Sequence, residues 1–345
     1  MGTQSIDILR HMSGRVKNVG GSGYRDCMAK ADEERDGVPL TNLDQELFAG
    51  AGATKRDLVD YLDAIRDRML PYLRDRPLSV IRSLRGQDPF MQKNLPKYTP
   101  DWVERASLWA DSSHRQVAYA LCNDRRTLLW FANQRAIEYH VTLGRAAALD
   151  HPTHLILDLD PPEGAPFGTA VAAARLVREV LTTAGLTSAV KTSGSKGVHV
   201  FVPIDERAGI EDVAAATRAV AARAERLDPG LATTAFIRED REGKVFLDST
   251  RAGGATVVCV YSPRLRPGTP VSFPVPWDDL DDVTPGDFTI HNAPSLLADG
   301  DPWGAALPEP QTIPADLIEE GHTIPIARVQ AMHEGKRRAR AARES

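Results

Sequence analysis

Little in this 345-residue chain is suited to cross-linking or to a membrane. It has only three cysteines, Cys27, Cys122 and Cys259, far apart and in no CxxC pair. That excludes a disulfide framework and a zinc ribbon and points to a reducing compartment. No run approaches the roughly 18 apolar residues that a membrane-crossing helix needs. The opening MGTQSIDILRHMSGRVKN has no continuous apolar stretch, so it does not read as a secretory signal. There is no internal repeat and no G-x-x-x-x-G-K-[ST] phosphate loop. Positive charge is not in excess either: 42 Lys and Arg stand against 47 Asp and Glu, for a net charge of −5. A uniformly basic coat for nucleic acid is excluded, so any such surface has to be local.

What is there is ordinary for a soluble globular chain, with 42% hydrophobic and 26% charged residues. Residues 1–40 are polar and rich in glycine near Gly20–Gly23, which reads as an irregular arm. Thr54 is placed to cap a helix running to about Leu73, with Leu58, Tyr61, Leu62, Ile65, Met69 and Leu70 on its buried side. LSVIRS, QVAYAL, TLLWFAN and IEYHV read as strands, followed by the apolar strand HLILDLD. PFGTAVAAARLVREVLTTAGL is a helix ending at Gly185, and EDVAAATRAVAARAERL is another. Between them AVKTSGSKGVHVFVPI reads strand, glycine turn, strand, and KVFLD and TVVCVYS add further strands. A proline- and aspartate-rich stretch over 264–310, with Trp277 and Trp303, is expected to wrap the core, before a last helix and the basic KRRARAARES. The pattern implies a mixed α+β fold, with a largely antiparallel catalytic core and flanking helices. The expected organisation is an arm (1–40), a main domain (41–310) and a C-terminal helix and tail (311–345). The main domain divides into a helical, basic module (41–100) and a core (101–310).

Three motifs carry chemistry. In LILDLDPPEG, residues two apart on a strand point the same way, so Asp158 and Asp160 present two carboxylates on one face. Two like charges so close are costly unless a cation neutralises them, and hard oxygens suit Mg²⁺ or Mn²⁺. Alone, the motif also fits a solvated turn before Pro161-Pro162. In KTSGSKGVH, Gly194 and Gly197 allow a tight turn whose N–H groups can face a phosphate, with Ser193, Lys196 and His199 adding donors. Alone, this also fits a plain hairpin. In KVFLDSTRAGG, Asp248 ends another apolar strand and supplies a third carboxylate. Three carboxylates, a phosphate loop and a histidine are the parts of two-metal nucleotidyl transfer.

The order DLD, TSGSKGVH, VFLDST, VYSPRLRPGTPVSFP resembles the archaeo-eukaryotic primase superfamily. The similarity is nearest to the polymerase domain of bacterial ligase D and its stand-alone relatives, and runs from about Thr41 to Trp303 through TNLDQELF, TKRDLVDYL, RPLSVIR, DPFMQK, IEYHV and PVPWDDL. The resemblance implies a template-dependent primase-polymerase that fills short gaps in DNA repair. It implies two Mn²⁺ or Mg²⁺ ions on Asp158, Asp160 and Asp248, and nucleoside triphosphate contacts from Ser193, Lys196, His199, Arg241 and Arg264, with His140 near the sugar or base. For DNA it implies Lys55 at a downstream 5′-phosphate, with Arg56, Arg82, Phe90 and Lys93 on the same surface, in a stretch from Lys55 to Lys97 holding ten Lys or Arg against six Asp.

The chain also departs from that pattern. Gln45 stands where end-joining relatives commonly carry lysine, Ile81 where relatives can carry another base, and Phe90-Met91 where they carry an aromatic pair. A K-x-D-G adenylation motif is absent. The expectation is a free-standing enzyme of the type associated with ligase C, working beside an ATP-dependent ligase in a bacterial cytoplasm, at the nucleoid. A metal-dependent nuclease and a non-catalytic DNA-bridging protein are the alternatives, and the Ser193–His199 loop weighs against both.

Overall fold

The structure, a computed structural model, describes residues 31–110 and 114–326. Most of the expected arm, and the basic tail from Lys336 to Arg343, lie outside the described residues. The described chain opens with the hairpin β1 (Glu33–Arg35) and β2 (Val38–Leu40), then helix α1 (Lys55–Leu73). Strands β3 (Pro77–Arg82), β4 (Phe90–Gln92), β5 (Arg105–Ala110) and β6 (Arg115–Leu121) follow, then helix α2 (Arg125–Asn133) and β7 (Ala136–Val141). The second half runs β8 (His154–Asp160), α3 (Phe167–Thr183), β9 (Ala189–Thr192), β10 (Val198–Pro203), α4 (Ile210–Leu227), β11 (Ala232–Thr233), β12 (Val245–Asp248) and β13 (Val257–Val258). Helices α5 (Ala293–Leu296), α6 (Pro302–Ala306) and α7 (Ala315–Thr323) close it.

Helix α1 begins where the sequence indicates. The Thr54 side chain accepts from the Asp57 N–H, and the Asp57 carboxylate accepts from the Thr54 N–H at 2.7 Å, a reciprocal capping box. Its apolar stripe, Leu58, Tyr61, Leu62, Ile65 and Met69, is buried. TLLWFAN is not a strand but most of helix α2. Asp124 caps it by accepting from the Thr127 N–H at 2.7 Å, and Leu128, Leu129, Phe131 and Ala132 are all buried. An apolar run this short carries no usable period, and the cap decides the outcome.

Two sheets form the core. The first has the order β11-β12-β8-β10-β9 and is antiparallel except for β11 with β12. The second has the order β13-β7-β3-β6-β5, with β4 also on β3, and is antiparallel throughout. Strand β3, from the basic module, is thus central in a sheet it shares with β7 and β13, and one hydrophobic cluster runs through both halves of the chain. This is the mixed, mainly antiparallel α+β architecture expected.

Helices α3 and α4 pack on the first sheet, against the face carrying Leu155, Leu157, Leu159, Val198, Val200 and Val202. The opposite face carries Asp158, Asp160, His199 and Asp248 and looks toward β7 and β13. The 264–310 stretch belts this arrangement together. Phe273 O accepts from the Thr192 N–H at 2.8 Å, Trp277 Nε1–H donates to Ser188 O at 2.8 Å, and Trp303 packs on Phe201. Tyr72 and Tyr261 both donate to Asp301, at 2.5 Å, which ties the belt to α1. TVVCVYS contributes only the two residues of β13, because the chain turns away at Tyr261, whose φ is +64°.

Candidate active site

Sheet register assembles the acids. Asp158 on β8 pairs directly with Asp248 on one side and with His199 on the other, while Asp160 lies opposite Phe246. The Asp158 Oδ1 is 3.1 Å from His199 Nε2, and its Oδ2 accepts from Arg251 Nε and Nη2 at 3.1 and 2.9 Å. The same guanidinium lies 3.4 Å from Asp248 Oδ2. Asp248 Oδ1 accepts from the Thr250 N–H and hydroxyl at 2.8 and 2.6 Å. Burial pushes the Asp158 carboxyl up, but His199 and Arg251 outweigh it and hold the group well below the usual carboxylate range. Asp160 moves the other way: burial, then the negative charges of Asp158 and Asp248, raise it. Burial, then the neighbouring Lys191, push His199 down to about 4, so its imidazole is neutral near pH 7 and the standing positive charge at Asp158 is that of Arg251.

The donor set is three clustered carboxylates, hard oxygen ligands whose mutual repulsion a divalent cation relieves. By ligand type such a set suits Mg²⁺ or Mn²⁺, with Arg251 in place of the ion here. Among the described residues no three His, Cys, Asp or Glu side chains converge on one point. Arg251 takes the place of counter-charge instead. Sequence reasoning passed over Arg251, although its position three residues after Asp248, on the turn Thr250–Gly253, was a readable signal.

The glycine loop sits beside the acids. Gly194 has φ of +67°, and a Cβ there would lie 2.7 Å from Arg264 Cγ; at Gly197 a Cβ would lie 2.2 Å from Leu159 O. Only glycine allows this approach. Ser193 Oγ accepts from the Ser195 and Gly197 N–H groups, which sets the turn. Lys196 Nζ donates to Pro161 O at 3.0 Å and so leans over the end of β8. Arg264 donates to Ser193 O, and Arg266 Nε to Ser195 Oγ at 3.1 Å. Buried Glu138 orients two neighbours, with Oε2 2.9 Å from His140 Nε2 and 3.2 Å from Arg264 Nε. A hollow of about 170 Å³ joins His140, Ser193, Lys196, Arg264, Asp158 and Asp160.

His199 lies at the floor of this site, buried in β10 rather than in the loop. Arg241 is on the far side of Asp160, in a second hollow of about 200 Å³ shared with Lys196, Arg238 and Lys244. Its guanidinium is 3.8 Å from the Phe246 ring centre. Two further groups were not anticipated. Lys191 is fully buried behind His199, and Glu138 is buried beneath Arg264. Both are charged residues inside strands, a pattern that by itself asks for partners.

Residues 54–303 match the family described as "LigD, primase-polymerase domain". The chain belongs to that family. It is thereby a nucleotidyltransferase of the archaeo-eukaryotic primase type, in a metal-dependent family. The bifunctional non-homologous end joining protein LigD of Bacillus subtilis is 34% identical over 287 residues, covering 81% of this chain and 46% of that protein. The multifunctional LigD of Mycobacterium tuberculosis is 35% identical over 288 residues, covering 79% of this chain and 37% of that protein. The chain therefore spans less than half the length of these curated relatives. The solved polymerase domain of Mycobacterium tuberculosis ligase D, in complex with DNA, superposes with a TM-score of 0.72 at 33% identity, over 79% of this chain and 98% of that one.

The remaining LigD-like positions lie away from the acids. Lys55 is buried, its Nζ donating to Thr41 O at 2.6 Å, and burial, then Arg135, bring it down to about 8. The anion-favouring start of α1 is already taken by the Asp57 carboxylate. Arg56 pairs with Glu33 at 2.8 Å. Arg82 donates to Gln134 O, Gln92 Oε1 and the Tyr98 hydroxyl, and stands 5.7 Å from the ring centre of exposed Phe90; Lys93 is exposed. Between the loop at Gln45–Ala49 and the turn at Ser83–Pro89 is a hollow of about 590 Å³, with Arg85 and Arg135 in its wall. Among the described residues, no helix is long and apolar enough to cross a membrane.

Proposed function

We propose that this protein is a template-dependent DNA primase-polymerase that adds nucleotides to a primer 3′-hydroxyl and fills short gaps during repair. The observation that carries this is the direct cross-strand pairing of Asp158 with Asp248 and His199, beneath the loop of Ser193 and Lys196 and the Arg264 guanidinium that joins it. Asp158, Asp160 and Asp248 would hold two divalent ions, Mn²⁺ or Mg²⁺, whose chemistry is to activate the 3′-hydroxyl and neutralise charge on the triphosphate. Lys196 and Arg264 bind and orient the triphosphate, since the Ser193, Ser195 and Gly197 N–H groups are spent within the turn itself. Glu138 keeps Arg264 and His140 pointed into the same hollow, His140 toward the sugar or base. Arg241, on the other flank of Asp160, meets the phosphates from the opposite side. A hydrolytic nuclease has no use for this triphosphate cradle, and a passive bridging protein has no use for the acids.

DNA lies across the second sheet, where Phe90 offers one stacking face and Arg82 and Lys93 offer phosphate contacts. The downstream 5′-phosphate enters the hollow between Gln45–Ala49 and Ser83–Pro89. Arg135, whose Nε and Nη2 hold Ser83 O, Glu46 O and Leu47 O across the hollow, offers its unpartnered Nη1 there, and Lys55 adds charge from beneath. The nicked product is a substrate for an ATP-dependent DNA ligase. Primer extension on a gapped duplex with Mn²⁺ and all four nucleotides tests the reading. Asp158→Ala and Asp160→Ala should each abolish addition while DNA binding survives, and extension by either would overturn it.

A further inference from the structure

The space between the two sheets does not end at the acids. Farther along it lies a cavity of about 220 Å³, walled by the end of α1, by residues of both sheets and by α6. His154, in its wall, stands four residues before Asp158 on β8, about 13 Å away along the strand. The cavity is therefore distinct from the catalytic hollow, although Val257 and Val258 of β13 line both. Its wall carries Arg76, Arg145, Lys191 and His154 and no Asp or Glu. Arg76 is buried, and its hydrogen-bond partners are all uncharged. Its Nη1 donates to Thr142 O and Leu143 O at 3.1 and 2.5 Å, and its Nη2 to Thr153 Oγ1 at 2.7 Å. Among the described residues its Nε has no acceptor. Arg145 is half-exposed and meets Glu206 at 3.1 Å on the solvent side. The two guanidiniums work against each other: burial, then Arg145, bring Arg76 down to about 10.

A buried cation is costly unless an anion pairs with it. Arg76 has neutral oxygens and a second cation beside it instead. Guanidinium groups present planar N–H forks that match a carboxylate or a phosphate, in charge-assisted bonds. Much of the remaining wall is apolar, with Leu143, Phe201, Val260 and Trp303 all buried in it. An apolar cavity of about 150 Å³ holds a benzene ring, so one of about 220 Å³ takes such a ring together with a charged head. We infer that this cavity is a binding site for a small organic anion, a carboxylate or a phosphate carried on an apolar body the size of one aromatic ring, with its head on Arg76 and Arg145 and its body against Phe201 and Trp303.

Calorimetric titration of the whole chain with benzoate, phenyl phosphate and neutral benzamide tests this. At least one anion should bind with a Kd below about 1 mM, and benzamide about tenfold or more weakly than that anion. The tighter of the two anions identifies the head. Arg76 also holds two backbone carbonyls, so the charge is varied at the exposed Arg145. Arg145→Glu should weaken the anion about tenfold and leave benzamide within about twofold. Leu307→Trp, which narrows the cavity from its half-buried wall, should weaken the anion and the amide alike. Lys196→Ala, in the catalytic hollow, should leave benzoate within about twofold of wild type. Three results overturn the inference: neither anion binding at about 10 mM, benzamide binding as well as the anions, or anion binding that survives Arg145→Glu. Anion binding lost in Lys196→Ala and kept in Arg145→Glu would place the probes in the triphosphate hollow instead.

Discussion

Deleting the guanidinium of Arg251 tests whether the acid cluster is held by a cation that a metal can replace. Arg251 touches Asp158 at 2.9 Å and lies 3.4 Å from Asp248, and both acids are buried. Removing one partner of a buried ion pair costs about 3–5 kcal/mol, because the other charge is left uncompensated. Arg251 keeps 32% of its side chain in solvent, which screens the contact. Arg251→Met preserves the apolar stem, so about 2–3 kcal/mol of destabilisation is expected in metal-free buffer. Mn²⁺ in excess stabilises both proteins by mass action, so closing a gap of about 2–3 kcal/mol takes binding to the variant that is about 30–150-fold tighter. It should bind the variant more tightly than wild type, because no guanidinium has to leave. Urea unfolding of both proteins, in EDTA and in Mn²⁺, reads this as midpoints at constant slope. The gap between the proteins should be open in EDTA and close in Mn²⁺. Equal stability in EDTA, or a gap that Mn²⁺ leaves unchanged, would refute the reasoning.

Other outcomes follow from neighbouring contacts. Glu138→Gln should raise the nucleotide KM by roughly tenfold, about 1.4 kcal/mol, with a smaller change in kcat, because a neutral amide releases Arg264 and His140. Burial works upward on Glu138, but His140 and Arg264 prevail and bring it from 4.5 to about 2. The unfolded chain therefore binds that proton more readily, so the stability the group contributes is whole above pH 4.5 and lost as pH falls toward 2. Acid titration should show this slope in wild type and not in Glu138→Gln. Gly197→Ala should cost about 2 kcal/mol or more in urea unfolding, since its Cβ would press Leu159 O at 2.2 Å and part β8 from β10. On gapped duplexes with and without a 5′-phosphate, at two salt concentrations, Arg135→Ala should erase the preference for the phosphate. Gln45→Lys should deepen it and steepen the salt dependence by about one contact. The preference should also fade as pH rises through about 8, where Lys55 loses its proton. A preference lost in Lys55→Ala but kept in Arg135→Ala would move the pocket.

The parts legible in the sequence are those whose cause is local. The alternation of HLILDLD fixes which side chains share a face, the two glycines fix a turn, and Thr54 with Asp57 fixes a helix start. TLLWFAN was not legible as a helix, because five consecutive apolar residues give no period and the deciding cap, Asp124, lies outside the run. The charges that stay inside were harder still. Lys191 finds partners 8 and 81 residues away, Glu138 one 127 away and Arg251 one 93 away, through strands that only the fold brings together. Lys55 shows the converse: the resemblance implies a contact with a downstream 5′-phosphate, but the side chain turns inward to Thr41 O. The surface expected to meet DNA was readable only as a concentration of charge between Lys55 and Lys97.

The pairing of Asp158 with both Asp248 and His199 bears on quality control. A slip of β12 by one residue would carry Asp248 to the helix-covered face and bring Leu247 up in its place. The three acids come from two strands some ninety residues apart in the chain, so no fragment and no misaligned sheet can present them together. A wrongly assembled molecule would therefore be inert rather than error-prone. In a preparation of this protein, the fraction of active molecules should equal the fraction whose strands are in register.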